Sequence, residues 1–418
     1  MKRTQRFIAL ILALITITSI AVVPAAAADT RRPVCGFIDV KDTAWYAEAV
    51  KWAVEKGITC GTSENKFSPK LELRRNQLVT FLWRFAGSPK DYSIVNNLAG
   101  CSDPGAWFYQ PMHWAAYHGI IETTKGTGNP EKDKQFPKAE MTRNDFVKML
   151  YNFMFYSMKS RYGVNFKSYD DVKNYTYALK EYTDAADFGY TQKVSWGFAV
   201  KHGIISGTSD TTLSPDTKVT RAQCVTMLYR MSQNRPDRFE AAKLGMSTST
   251  LTSQKKKMLW YAESKLGCPY GNISRGETYT SYETGIDCTH YVQDIYKKFY
   301  GITLPSGTSA YSTNGYYSND KVQSWAWYAK KRSNQTSEQF IEENKNNLQF
   351  GDILFMPDHV MMYVGKDANG RMIIIHATRP KIQMHYLNTT SYASPPYQGE
   401  DDFYVKQITA IYRPKNIG

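Results

Sequence analysis

The sequence predicts a chain of two unlike parts, an all-helical array of hairpins followed by a domain that mixes helices with β-strands. A pattern of two amphipathic helices occurs three times between residues 29 and 233, and such units bury their apolar faces against one another. Residues 234–254 are rich in Ser, Thr and charge, which is typical of a linker. Beyond the linker, two apolar runs joined by a turn signal predict a β-hairpin.

The repeats occupy residues 29–90, 91–154 and 181–233, and an insertion covers residues 155–180. Each first helix contains a tryptophan and ends at a glycine, and each second helix opens on an arginine. The alignment pairs Trp52, Trp114 and Trp196, then Gly57, Gly119 and Gly203, then Arg75, Arg143 and Arg221. The tryptophans lie on apolar helical faces, which predicts a place in the core.

The repeat motifs resemble those of S-layer homology domains. The first repeat reads FIDV, WY, GITCG, FSP and LRRN, and the third reads GIISG, LSP and TRAQ. The resemblance implies anchoring to an anionic secondary cell-wall polysaccharide. An arginine fork binds a carboxylate bidentately, so Arg75, Arg143 and Arg221 are the expected polymer contacts; a salt bridge within the helix pair is the alternative. The family's polymer contacts lie in grooves between repeats. The second repeat has Thr123 where the others have a glycine, which leaves its groove in doubt.

The segment GIDCTHYVQDIYKKFYG, residues 285–301, places a cysteine at a predicted helix start. Apolar residues recur at three- and four-residue spacings, with Asp287 placed to cap the helix and Gly301 to end it. Cys288 would then lie in the first turn. The helix dipole favours an anion there, which predicts an accessible thiolate.

Two histidines flank the predicted hairpin, His359 at its start and His376 near its end. The turn signal between them is the stretch from Asp367 to Gly370. A two- or four-residue loop places both imidazoles on one face, whereas an odd-length loop without a bulge does not. A cysteine with two such histidines is the layout of a nucleophile, a base and an orienting group.

The predicted second domain, residues 255–418, contains five short motifs in this order: GCPYGN, DCTHYV, LPSGTS, GDIL and HVMMYVG…HA. In order and spelling they resemble the motifs of the NlpC-type family of papain-like cell-wall cysteine peptidases, and the resemblance covers about Lys255 to Pro414. The resemblance implies an α+β papain-like fold with an antiparallel sheet. It makes Cys288 the nucleophile, His359 the base and His376 the orienting residue.

The same resemblance places Tyr270 beside the oxyanion, and Asp287 and Thr289 near the free amine of the substrate peptide. Thr289 replaces the family's usual serine, and His290 replaces a small residue. The imidazole of His290 would either narrow the groove or stabilise the thiolate. His385 has no assigned role.

The expected activity is therefore hydrolysis of peptidoglycan stem peptides between a D-γ-glutamyl residue and a diamino acid. The C-T-x-Y-V spelling also resembles CHAP-type amidases and peptidases, so a CHAP-like amidase or cross-bridge peptidase is one alternative. A non-catalytic, S-layer-associated wall-binding protein is another. We expect no cofactor, no metal ion and no nucleic-acid partner.

The N-terminus predicts export. Basic residues precede the apolar run from Phe7 to Val23, and small residues follow, which is the layout of a signal peptide over residues 1–28. Three of the net +14 charges lie in that segment, which leaves +11 from Asp29 onward. That excess suits an anionic wall polymer. We expect a secreted, wall-associated protein of a Gram-positive-type bacterium, without membrane contact after cleavage.

Overall fold

The structure is a computed structural model that describes residues 34–167, 172–271, 285–304, 307–308, 325–387 and 404–414. The predicted signal segment, residues 1–28, lies outside the described residues, as do residues 305, 306 and 309 of the LPSGTS motif. Within the described ranges, no helix is both long and apolar enough to cross a membrane.

The first half of the chain is helical, as predicted. Its helices are α1 (Ala47–Glu55), α2 (Arg75–Phe85), α3 (Tyr109–Tyr117), α4 (Pro130–Asp133), α5 (Gln135–Lys138), α6 (Arg143–Tyr162), α7 (Val172–Tyr177), α8 (Tyr190–Lys201) and α9 (Arg221–Asn234). Short 3-10 turns lie at Val34–Gly36 and Thr183–Ala185. The arginine of each repeat is the first residue of its second helix. In repeats two and three, Thr142 and Thr220 cap that helix by accepting a bond from a backbone N–H of the first turn.

The three repeats close into a ring. Just before each second helix, the backbone N–H of Leu73 donates to the carbonyl of Val219 at 3.0 Å, that of Val219 to Met141 at 3.0 Å, and that of Met141 to Leu73 at 3.3 Å. Each repeat therefore both donates to and accepts from another. The second repeat takes an equivalent place despite Thr123, and the array has no open end.

The tryptophan alignment needs one correction. Counted from the glycine that follows each first helix, Phe198 occupies the position of Trp52 and Trp114, and Trp196 lies two residues earlier. Trp114 and Trp196 are fully buried, which confirms their predicted place in the core. Trp52 is half-buried.

The insertion and the linker both pack against their neighbours. Tyr175 of the insertion is fully buried, with its ring centroid 5.8 Å from that of Phe198. The linker contains α10 (Glu240–Lys243), and its Phe239 is fully buried, 6.3 Å from the ring of Trp260. One continuous hydrophobic core runs from the first repeat into the second domain, so the linker is not a loose tether.

The second domain is α+β, with three helices and one antiparallel sheet in the described residues. The helices are α11 (Ser253–Ser264), α12 (Cys288–Tyr300) and α13 (Ser337–Asn344), with a 3-10 turn at Val405–Gln407. The strands are β1 (Trp325–Lys330), β2 (Ile353–Met356), β3 (His359–Lys366), β4 (Met372–Ala377), β5 (Ile382–Tyr386) and β6 (Ala410–Pro414). Their order is β1-β6-β2-β3-β4-β5, and α12 packs against β3 and β4.

The β3–β4 hairpin reaches the predicted face arrangement by an unexpected route. Near the turn Gly365 pairs with Ile373, a register that would place the two histidines on opposite faces. A bulge between Tyr363 and Gly365 shifts the pairing by one residue, and Met362 then pairs with Ile375. The bulge brings both histidines back to one face.

Candidate active site

Cys288 is the first residue of α12, as the sequence predicts. Asp287 is the N-cap, in an extended backbone conformation, and its carboxylate accepts a bond of 2.9 Å from the backbone N–H of His290. The helix ends at Gly301, whose φ of 67° places it in the left-handed region. The cysteine is therefore fixed at the helix N-terminus by residues adjacent to it in sequence.

The thiol of Cys288 is neutral at rest, which contradicts the predicted thiolate. Cys288 is 4% exposed, and burial raises its pKa to about 12. The Asp287 carboxylate acts in the same direction, while backbone N–H groups, that of Val360 first among them, lower the pKa by less. Loss of hydration outweighs the helix N-terminus.

Three histidines form a continuous hydrogen-bonded chain. His359 Nε2 lies 2.6 Å from His376 Nδ1, and His376 Nε2 lies 2.9 Å from His385 Nε2. His385 Nδ1 lies 2.8 Å from the carbonyl oxygen of Tyr386. The three residues are 9%, 0% and 4% exposed. We call His359, His376 and His385 the histidine chain.

Burial keeps the histidine chain neutral. Burial lowers the pKa of His359 to about 4, and the neighbouring His385 acts in the same direction. It lowers the pKa of His376 well below its usual value and also lowers that of His385. At neutral pH each imidazole therefore has one N–H donor and one acceptor nitrogen, and His359 is in the form that can accept a proton.

Cys288 and His359 lie on elements that pack together, α12 and β3, but no hydrogen bond joins their side chains in the described residues. The contact between their elements runs through Val360, whose backbone N–H meets the Cys288 thiol. Val360 belongs to the core cluster on the α12 side of the sheet, whereas Met361 belongs to the cluster on the other side. His359 alternates with Val360 along β3, so its side chain starts on the sheet face opposite the one that α12 packs against. Catalytic hydrogen bonds often form only in the substrate complex.

The side chains of Asp287, Thr289 and His290 form a compact group beside Cys288. Thr289 Oγ1 donates to Asp287 Oδ1 at 2.9 Å, and His290 Nδ1 lies 2.7 Å from Asp287 Oδ2. Burial alone would raise the pKa of Asp287, but bonds from His290 and Thr289 outweigh it and lower that pKa. His290 therefore pairs with the capping carboxylate. The sequence predicted that its imidazole would either narrow the groove or stabilise the thiolate, and it did not predict this pairing.

Tyr270 lies where its hydroxyl interacts electrostatically with the thiol. Its backbone N–H donates to the carbonyl of Pro380 at 2.8 Å, which fixes the segment against the end of β5. Burial raises the pKa of Tyr270 to about 12, and the neighbouring Cys288 and Asp287 act in the same direction. The phenol therefore keeps its proton and can donate a hydrogen bond.

The three arginines lie at the contacts between repeats, which we call the seams. Arg221 is 4% exposed and donates to the carbonyl of Phe67 at 2.7 Å and to Thr59 Oγ1 at 2.9 Å. Arg143 is 3% exposed and donates to two carbonyls of the third repeat. Arg75 is only partly buried and donates to the carbonyl of Phe136 at 2.7 Å. The alternative expected from the sequence was a salt bridge within the helix pair. The arginines do join segments of the fold, but their partners are oxygens of the next repeat rather than carboxylates.

Two site residues were missed by sequence reasoning, His385 and Tyr404. The ring of Tyr404 lies 6.0, 5.1 and 5.7 Å from the rings of the histidine chain. For His385 the sequence did contain a signal. The alternation argument that places His359 and His376 on one face also places His385 on that face, once β5 is paired with β4. Tyr404 lies near no motif, and only the tertiary structure reveals it.

Comparison with known proteins finds two families in the chain. Residues 271–398 match the NlpC/P60 family, and residues 36–78 and 197–223 match the S-layer homology domain. The chain therefore joins S-layer homology repeats to an NlpC/P60 domain. The matched repeat ranges fall in the first and third repeats, and the second completes the same ring.

Two curated proteins are similar to part of the chain. The surface-layer 125 kDa protein of Lysinibacillus sphaericus is 31% identical over 111 residues, 27% of this chain and 9% of that protein. An endoglucanase of Bacillus sp. (strain KSM-635) is 30% identical over 146 residues, 34% of this chain and 15% of that protein. The aligned segments thus span a small share of either relative.

Proposed function

We propose that the protein is a cell-surface hydrolase that cleaves peptidoglycan stem peptides with Cys288 as nucleophile. One observation carries the proposal. Within an NlpC/P60 domain, a cysteine at a helix N-terminus lies against the strand that begins the neutral histidine chain. A nucleophile, an adjacent base and a third group that orients the base form the arrangement that acyl transfer requires.

The neutral thiol determines the first step. His359 removes the Cys288 proton while the sulfur attacks the peptide carbonyl, since no thiolate is stored beforehand. The Cys288 backbone N–H and the Tyr270 hydroxyl donate to the oxyanion. His359 then gives its proton to the leaving amine, and a thioester joins the acyl group to Cys288. A water molecule deprotonated by His359 hydrolyses the thioester and restores the thiol.

The proposed bond joins a D-γ-glutamyl residue to a diamino acid. Asp287 and Thr289 stand beside the nucleophile, and the Asp287 carboxylate is ionised and held in place by His290. A carboxylate in this position suits the free amine of a stem peptide whose acyl end lies at Cys288.

Digestion of purified peptidoglycan, followed by mass spectrometry of the fragments, tests this activity. We expect fragments that end in D-glutamate, and none from the Cys288→Ala protein. Release of whole stem peptides from the glycan would indicate a CHAP-like amidase, and cleavage of bridges a cross-bridge peptidase. Absence of products with retained wall binding would indicate a wall-binding protein.

We also propose that the repeats hold the protein to an anionic wall polysaccharide. All three arginines donate to the next repeat, but Arg75 is partly exposed whereas Arg143 and Arg221 are buried, so the seam geometry supports a polymer contact for Arg75 more than for the other two. Co-sedimentation of the full chain with cell walls tests this. Arg75→Ala should weaken binding while the exposed control Lys70→Ala should not. Equal binding by both variants would refute the role of Arg75.

A further inference from the structure

The histidine chain ends on a backbone carbonyl, and that end fixes the direction of all its hydrogen bonds. A carbonyl oxygen can only accept, so His385 Nδ1, 2.8 Å from the Tyr386 oxygen, must carry the proton. In a neutral imidazole the other nitrogen then has no proton. His385 Nε2 is therefore an acceptor.

The same reasoning passes to the next two rings. His385 Nε2 accepts at 2.9 Å, so His376 Nε2 is protonated and His376 Nδ1 is an acceptor. His376 Nδ1 accepts at 2.6 Å, so His359 Nε2 is protonated. The unprotonated nitrogen of His359 is then Nδ1. One carbonyl at Tyr386 thus determines which nitrogen of the proposed base is free to take a proton.

We propose that His385 is a positioning residue that sets the tautomer of His359 and leaves its Nδ1 as the base for Cys288. The role rests on the proposed function, because it assigns His359 as the base of that reaction. His385 acts through His376, to which its Nε2 is bonded.

The surroundings of the chain support this assignment. The Tyr404 ring packs within 6.0 Å of all three imidazoles, and it is itself 3% exposed. Burial lowers the pKa of each histidine, which keeps each ring neutral and able both to donate and to accept. The ring nitrogens bond one another in sequence rather than converging on a point, so the cluster is a chain and not a ligand set.

Nitrogen chemical shifts of the imidazoles test the tautomers directly. The chain has seven histidines, so ¹⁵N-histidine labelling of the full protein gives a small spectrum, assigned by single substitutions. At pH 7.5 we expect the Nε2–H tautomer for His359 and His376 and the Nδ1–H tautomer for His385. His113 is an internal reference, because it accepts from the Val95 N–H at Nδ1 and faces the Cys101 carbonyl through Nε2. An Nδ1–H tautomer at His359, or exchange between tautomers, would overturn the proposal.

Two substitutions separate positioning from packing. His385→Gln places an amide oxygen near the position of Nε2 and can still accept from His376, whereas His385→Phe fills the space without an acceptor. We expect His385→Phe to lower kcat/KM on muropeptides at least tenfold, about the smallest loss seen when supporting partners of metal-bound histidines are removed. His385→Gln should stay within a few-fold of wild type. Only His385→Phe should change the His359 tautomer.

The outcomes distinguish this proposal from the proposed function. If the tautomers are as expected but no stem peptide is cleaved, the proposed activity fails and the hydrogen-bond direction stands. If peptides are cleaved and both variants are equally slow with an unchanged His359 tautomer, His385 serves packing alone and the inference is refuted. Circular dichroism of both variants checks that they fold. The primary test is the nitrogen spectrum of the wild-type protein, which does not depend on the folding of any variant.

Discussion

Replacing Arg221 with alanine should destabilise the ring of repeats before it affects any polymer contact. The guanidinium is 4% exposed, donates to Phe67 O and Thr59 Oγ1, and lies 4.8 Å from the centroid of the Phe67 ring. Each bond from a charged donor contributes about 1.5–3 kcal/mol, and the aromatic contact contributes about 0.5–2 kcal/mol. The variant is also spared the cost of desolvating a buried guanidinium, which offsets part of this loss. We expect a loss of about 3 kcal/mol in the free energy of unfolding.

Urea unfolding followed by circular dichroism measures that loss. The exposed Lys70→Ala change is the matched control and should stay within about 0.5 kcal/mol of wild type. Arg75→Ala should lie between them, because Arg75 is only partly buried. If Arg221→Ala kept wild-type stability but lost wall binding, the seam interpretation would be wrong and Arg221 would be a polymer contact.

Three further predictions concern the second domain. Iodoacetamide should alkylate Cys288 slowly at pH 7, and the rate should still be rising at pH 10, because burial raises the thiol pKa to about 12; a plateau below pH 8 would show a stored thiolate. His359→Ala should abolish single turnover on muropeptides, whereas His376→Asn should be milder, because an amide oxygen can still accept from His359; the reverse order would exchange their roles. Tyr386→Phe removes the hydroxyl that donates to Leu244 O at 2.7 Å and accepts from Arg371 at 2.8 Å, but it keeps the backbone carbonyl. The change should therefore cost about 2 kcal/mol in urea unfolding and leave the His359 tautomer unchanged in the nitrogen spectrum.

The features predicted from sequence are those set by neighbouring residues. Asp287 caps α12 and Gly301 ends it because capping and left-handed backbone depend on a few adjacent positions. The shared face of His359 and His376 followed from strand alternation, although it required a bulge that the sequence does not mark. Local chemistry therefore placed Cys288 at the start of its helix and the two histidines on one face.

The features missed depend on contacts between distant segments. The predicted thiolate considered the helix N-terminus but not the burial that raises the Cys288 pKa. Ring closure rests on bonds among Leu73, Met141 and Val219, which no periodicity within one repeat can show. His385 joins the site only because β5 pairs with β4. Burial and strand pairing are properties of the whole fold.

The structure also connects the linker and the histidine chain through one strand. Tyr386 accepts the final bond of the histidine chain with its carbonyl, and its hydroxyl donates to the linker at Leu244 O. Phe239 of the same linker is fully buried beside Trp260 of the second domain. The repeats, the linker and the strand that carries His385 are therefore packed together. Under the proposed function, repeats fixed to the wall would also fix the orientation of the candidate site. Attachment would then restrict which stem peptides the site can reach, as well as holding the protein in place.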